Sequence, residues 1–140
     1  MNRVTKISAC LAMGLFVATA LAIFPTAAAA QTLDISIESE IGGSPPGELV
    51  LTDPSGDMTG PEAGDIHVRN PISGLYNLRI IGREIGVYTL YLKAYSDSGS
   101  TSDVRFPHMT TKAGEVHHYD VNFSAEGPKL DVRRTRVTTE

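Results

Sequence analysis

Asp53, Asp57 and Asp65 crowd a stretch rich in glycine and proline. Calcium takes roughly six to eight oxygen ligands, and loops supply backbone carbonyls beside carboxylates, so these three residues are the candidate calcium site. The spacing Asp53-Pro-Ser-Gly-Asp57 lacks the dense acidic pattern and distal glutamate of an EF-hand loop. The same Asp53 also suits a turn in which its carboxylate accepts backbone N–H groups. Tyr91 and Tyr95 have the alternation of strand residues that share a face, opposite Leu90 and Leu92. Two aromatic rings on an outer sheet face are a candidate ligand platform for a sugar or a partner protein, or they pack against a neighbouring loop.

The histidines, His67, His108, His117 and His118, read as exposed strand residues. Consecutive strand residues face opposite ways, so His117 and His118 cannot chelate one ion together, whereas His67 and one of them meet only under a particular register. Serine nucleophile chemistry has no Gly-x-Ser-x-Gly elbow to support it, and Ser73 in Pro-Ile-Ser-Gly suits a turn. Arg133, Arg134 and Arg136 form a basic cluster beside Asp131 and Glu140, the composition of a solvated terminus or of an anion-binding surface. No catalytic constellation can be named, so the expectation is that the chain is not an enzyme.

The N-terminus bounds the setting. Arg3 and Lys6 precede an apolar run from Ile7 to Phe24, Pro25 breaks it, and Ala27 to Ala30 offer small residues to a signal peptidase. Residues 1–30 therefore read as a cleaved signal peptide, which places the rest in the periplasm or outside the cell. Cys10, the sole cysteine, lies within that segment, so the exported chain has no thiol for a disulfide or thiolate metal site. Arg3 and Lys6 are its only charges, so the remainder sets 10 basic against 16 acidic side chains, a net of −6. An acidic body repels nucleic acid. No second apolar run follows, so no membrane span is expected after cleavage.

These candidates must be positioned by strands. Leu33, Ile35 and Ile37 alternate with polar residues, Glu48–Thr52 continues the pattern, and Asp65–Arg69 forms a short strand with Ile66 and Val68 on one face. Gly42–Gly47 and Thr59–Gly64 read as loops, and Asp53–Gly56 as a turn. Gly-x-Tyr-x-Leu occurs at Gly74–Leu78 and again at Gly86–Leu90, which reads as two arms of a β-hairpin. Tyr76, Leu78 and Ile80, then Tyr88, Leu90, Leu92 and Ala94, are the expected core, joined by Tyr119, Val121 and Phe123. Val104–Phe106 reads as a short strand before Pro107, and Glu115–Phe123 as a further strand. The pattern predicts one all-β domain, an antiparallel β-sandwich over 31–126. Residues 127–140 are a basic tail that either adds an edge strand through Leu130 and Val132 or stays loose.

Three segments together resemble a family: Leu49-x-Leu-x-Asp-Pro-Ser-Gly56, Asn70-Pro-x-x-Gly-x-Tyr-x-Leu-x-Ile-x-Gly82 and Gly86-x-Tyr-x-Leu-x-Leu92. They are similar to the bacterial pre-peptidase C-terminal domain and to related Ig-like or jelly-roll sandwich modules of bacterial surface proteins. The resemblance implies a non-catalytic module, some of whose relatives bind calcium or polysaccharide. The expected function is a secreted binding module for an extracytoplasmic protein or envelope polysaccharide, with no cofactor unless calcium. The alternative is a calcium-stabilised accessory or propeptide-like domain serving a separately encoded exported enzyme.

Overall fold

In the computed structural model the alternating residues fold into strands of two antiparallel sheets; the structure describes residues 30–140. The predicted export signal lies, but for Ala30, outside them. The strands are β1 (Gln31–Ser39), β2 (Gly47–Thr52), β3 (Met58–Glu62), β4 (Asp65–Arg69), β5 (Gly74–Gly82), β6 (Gly86–Ser96), β7 (Thr101–Thr111), β8 (Glu115–Ser124) and β9 (Lys129–Thr139). Sheet A has the order β4-β1-β6-β7 and sheet B the order β3-β2-β5-β8-β9. Among the described residues no helix is long and apolar enough to cross a membrane.

Period-two alternation puts one face of each sheet into a shared core. Sheet A contributes Leu33, Ile35, Ile37, Ile66, Tyr88, Leu90, Leu92 and Ala94. Sheet B contributes Leu49, Leu51, Tyr76, Leu78, Ile80, Tyr119, Val121 and Phe123. Every inward residue expected from the alternation of Gly74–Tyr95 and of Glu115–Phe123 is in this cluster. The result is a β-sandwich.

The connection between the two Gly-x-Tyr-x-Leu strands differs from expectation. β5 pairs with β2 and β8, whereas β6 pairs with β1 and β7, so Gly74–Tyr95 is an arch from one sheet to the other and not a hairpin. Both strands carry unbroken apolar faces, which satisfy each other across a sandwich as well as side by side in a sheet; periodicity does not separate the two cases. The arch is clamped by Pro46, whose carbonyl accepts the N–H of Arg83 at 2.8 Å and that of Glu84 at 3.3 Å. Gly86 is required there, since a Cβ on it would sit 2.5 Å from the Pro46 Cβ. Arg83 Nε also donates to Glu48 at 2.8 Å.

Two further segments depart from the sequence reading. Thr59–Gly64 was expected as a loop, but Met58–Glu62 is edge strand β3, wholly exposed and paired to β2 through a register shift. An edge strand tolerates Pro61 because only one of its sides needs N–H donors. β7 runs through Pro107 for the same reason, well beyond Val104–Phe106. The ladder shifts between the Leu90–Phe106 and Tyr88–Met109 pairs, and His108 bulges with φ of 58°. Glu40 pins that bulge, accepting the His108 N–H at 2.7 Å, the His108 imidazole at 2.8 Å and the Thr89 hydroxyl at 2.9 Å. The backbone bond from His108 holds the Glu40 carboxyl below its ordinary range. Residues Lys129–Thr139, left open between edge strand and loose tail, form β9 against β8. On that flank the Leu130 N–H donates to Ser102 Oγ of sheet A at 3.2 Å.

Candidate functional site

The outer face of sheet A holds Tyr91 and Tyr95. Because Leu90, Leu92 and Ala94 of β6 point into the core, Tyr91, Lys93 and Tyr95 must point out. Register then sets their neighbours. One row crosses the sheet as His67, Asp34, Lys93 and Asp103, alternating in the sign its members can carry; the next runs Asp65, Ser36, Tyr91 and Arg105. Directly opposite residues on one face have Cβ atoms about 4.5–5.5 Å apart, so each row is a continuous strip of contact.

A groove of about 480 Å³ lies on this face, lined by Asp34, Ser36, Tyr91, Lys93, Asp103 and Arg105. The Arg105 guanidinium sits 5.5 Å from the Tyr91 ring centre, and the Lys93 ammonium 5.6 Å from that of Tyr95. Each cation holds its ring by the attraction of positive charge for the aromatic face. Both tyrosines are half-buried.

At the edge of this face His67 bridges two carboxylates, with Nδ1 2.6 Å from Asp34 and Nε2 2.6 Å from Asp65. Only the imidazolium can donate from both nitrogens. The hydrogen bond and charge of Asp34, with a smaller contribution from Asp65, therefore raise the His67 pKa. A raised folded-state value means that the stabilisation is fully present below the unfolded value near 6.5 and is lost as the pH climbs through the folded one. His67→Gln should abolish this component of the pH dependence. The check is urea unfolding of both proteins on either side of the imidazole titration; equal slopes against pH would overturn it.

The three aspartates of the calcium reading are not brought together as one ligand set. Asp53 Oδ1 accepts the N–H of Ser55 at 2.8 Å and of Asp57 at 2.9 Å, organising the β2–β3 turn of sheet B. Asp65 opens β4 of sheet A and is engaged with His67. Among the described residues no group of three or more His, Cys, Asp or Glu side chains is placed to hold a metal ion. Ser73 is structural: its hydroxyl accepts the Ala125 N–H at 2.8 Å.

His117 departs from the expectation of exposure, since it is 1% exposed. Tyr119 and Val121 face inward, and two-residue alternation carries His117 inward with them; no sequence signal separates such a residue from a half-exposed one. Its Nδ1 lies 2.6 Å from the Tyr88 hydroxyl and its Nε2 2.6 Å from Glu115. Tyr88 in turn lies 3.3 Å from the Tyr119 hydroxyl. Burial pushes both phenols up, so they remain neutral links of this chain. His67 lies on β4 of sheet A and His117 and His118 on β8 of sheet B, so no register brings them to one ladder.

Asp34, Ser36, Lys93, Asp103 and Arg105 were not anticipated around the tyrosines. Their outward direction is readable from alternation, but their adjacency needs the β1–β6–β7 order. No family model matches this chain, and no curated protein or solved structure matches it either.

Proposed function

We propose that this chain is a secreted, non-catalytic module, an Ig-like or jelly-roll-like sandwich related to the pre-peptidase C-terminal type, that binds an envelope polysaccharide through the outer face of sheet A. The observation that carries the reading is the Tyr91 groove, where an aromatic ring beside the Arg105 guanidinium stands next to the row of Asp34, Lys93 and Asp103. Sugar rings offer apolar faces to aromatics and hydroxyls to carboxylates, ammonium and guanidinium groups. Tyr91 and Tyr95 are four residues apart on one strand, which at about 3.3 Å per residue spans about 13 Å. That separation exceeds one pyranose ring and suits an oligosaccharide. Nothing favours the calcium-dependent alternative, because Asp53 and Asp65 are already engaged within the fold.

A glycan array with envelope polysaccharides, run beside an envelope pull-down, tests the proposal. Tyr91→Ala should weaken polysaccharide binding about tenfold, the loss of roughly 1.4 kcal/mol of ring contact. Capture of a protein with no polysaccharide signal would overturn the substrate class, and an undiminished signal from Tyr91→Ala would overturn the site.

A further inference from the structure

The outer face of sheet B, on the opposite side of the sandwich, carries a second feature. Arg79 of β5 lies directly opposite His118 of β8, and His118 directly opposite Arg136 of β9. The three form one cross-strand row in which neighbouring Cβ atoms are about 4.5–5.5 Å apart. Among the described residues neither Arg79 nor Arg136 has a carboxylate within ion-pair distance. The row therefore sets two arginines on the strands either side of one histidine, neither of them engaged in an ion pair among the described residues.

A hollow of about 270 Å³ opens beside the row, lined in part by Asn77, His118, Asp120, Thr135 and Arg136. His118 Nε2 bonds the Thr138 hydroxyl at 2.9 Å, and its Nδ1 has no partner among the described residues. Asp120, the acid of this lining, stands in the next row opposite Arg133. We propose that Arg79, His118 and Arg136 form a binding site for an oxyanion group, a phosphate or sulfate, seated over the imidazole between the two guanidinium groups. Planar guanidinium groups match the paired oxygens of such anions and form charge-assisted bonds to them.

The site couples binding to proton uptake. Burial and the charges of Arg136 and Arg79 lower the His118 pKa, opposed by Glu140 at the C-terminus, while His117 on the same strand adds a minor lowering. An anion at this position offsets both arginines and raises the imidazole pKa, so binding strengthens as the pH falls.

The test follows the His118 ring by NMR in sodium chloride and in sodium sulfate at matched ionic strength across pH, with inorganic phosphate titrated separately at fixed pH. Expected are a saturable shift in sulfate or phosphate and a higher His118 pKa in sulfate than in chloride. A response to one anion alone assigns the group to that anion. Arg79→Gln and Arg136→Gln should each weaken the response about tenfold, as expected for a lost charge-assisted pair. In chloride those variants should show a higher His118 pKa than the parent, because a repelling neighbour is gone. Arg105→Gln, on the other sheet, should respond like the parent. A His118 shift no larger in sulfate and phosphate than in chloride, or an unchanged response in both arginine variants, overturns the site. The result is independent of the polysaccharide reading, whose variants lie on sheet A.

Discussion

Leu90→Ala is expected to lower the unfolding free energy by about 2–5 kcal/mol, through lost burial and the cavity left behind. Leu90 is completely buried among residues of both sheets. No cysteine is present among residues 31–140 to add a crosslink, so stability rests on this core; a domain of this kind has about 5–15 kcal/mol in total. The loss is thus a large fraction of what holds the fold. Tyr91→Ala, one position on, removes a larger side chain from the outer face and should cost much less. Urea unfolding of the pair measures the strand register, because a shift by one residue exchanges every inward side chain for an outward one. A larger loss from Tyr91→Ala would contradict the inward face of β6.

Tyr88→Phe is expected to cost about 1–3 kcal/mol although it removes one oxygen and opens almost no space. Among the described residues the phenol oxygen is the only hydrogen-bond partner of His117 Nδ1. Phenylalanine leaves that nitrogen buried and unsatisfied, while Nε2 is already committed to Glu115. His117→Leu in the Tyr88→Phe background should then recover the part of the loss that comes from the orphaned imidazole nitrogen, while the Tyr119 hydroxyl still lacks its Tyr88 partner. A double-mutant cycle reads this directly as non-additivity. Strictly additive losses would mean that the two groups do not act as one chain.

The inner faces were legible in the sequence because burial imposes a period of two on residues such as Leu33-Ile35-Ile37 and Leu90-Leu92-Ala94, and local alternation suffices to read it. Sheet membership was not legible. Whether β5 and β6 pair or cross depends on Pro46 gripping the arch at Arg83 and Glu84, and Pro46 lies far away in the chain. The edge strands were underestimated because proline and glycine in Met58–Glu62 and at Pro107 mimic loop composition, while a one-sided ladder accepts them. On the outer face of sheet A, the outward direction of Tyr91 and Tyr95 was readable from alternation. Arg105 and Asp34 escaped because their place beside the tyrosines is a property of strand order alone. The row of Arg79, His118 and Arg136 escaped for the same reason, with one member on each of three strands.

Strand β9 ends sheet B with an open edge of 11 residues. Such an edge is a template for a second copy of the same chain, and long flat edges are where sheet proteins join into aggregates. Here the register slips between His118 and Tyr119, so Thr135 is an extra residue that twists the edge away from flatness. Arg133, Arg134 and Arg136 flank that bulge, and two such edges brought together would set arginine against arginine. The C-terminal strand thus completes the sheet on one side, while its bulge and its arginines work against flat pairing on the other.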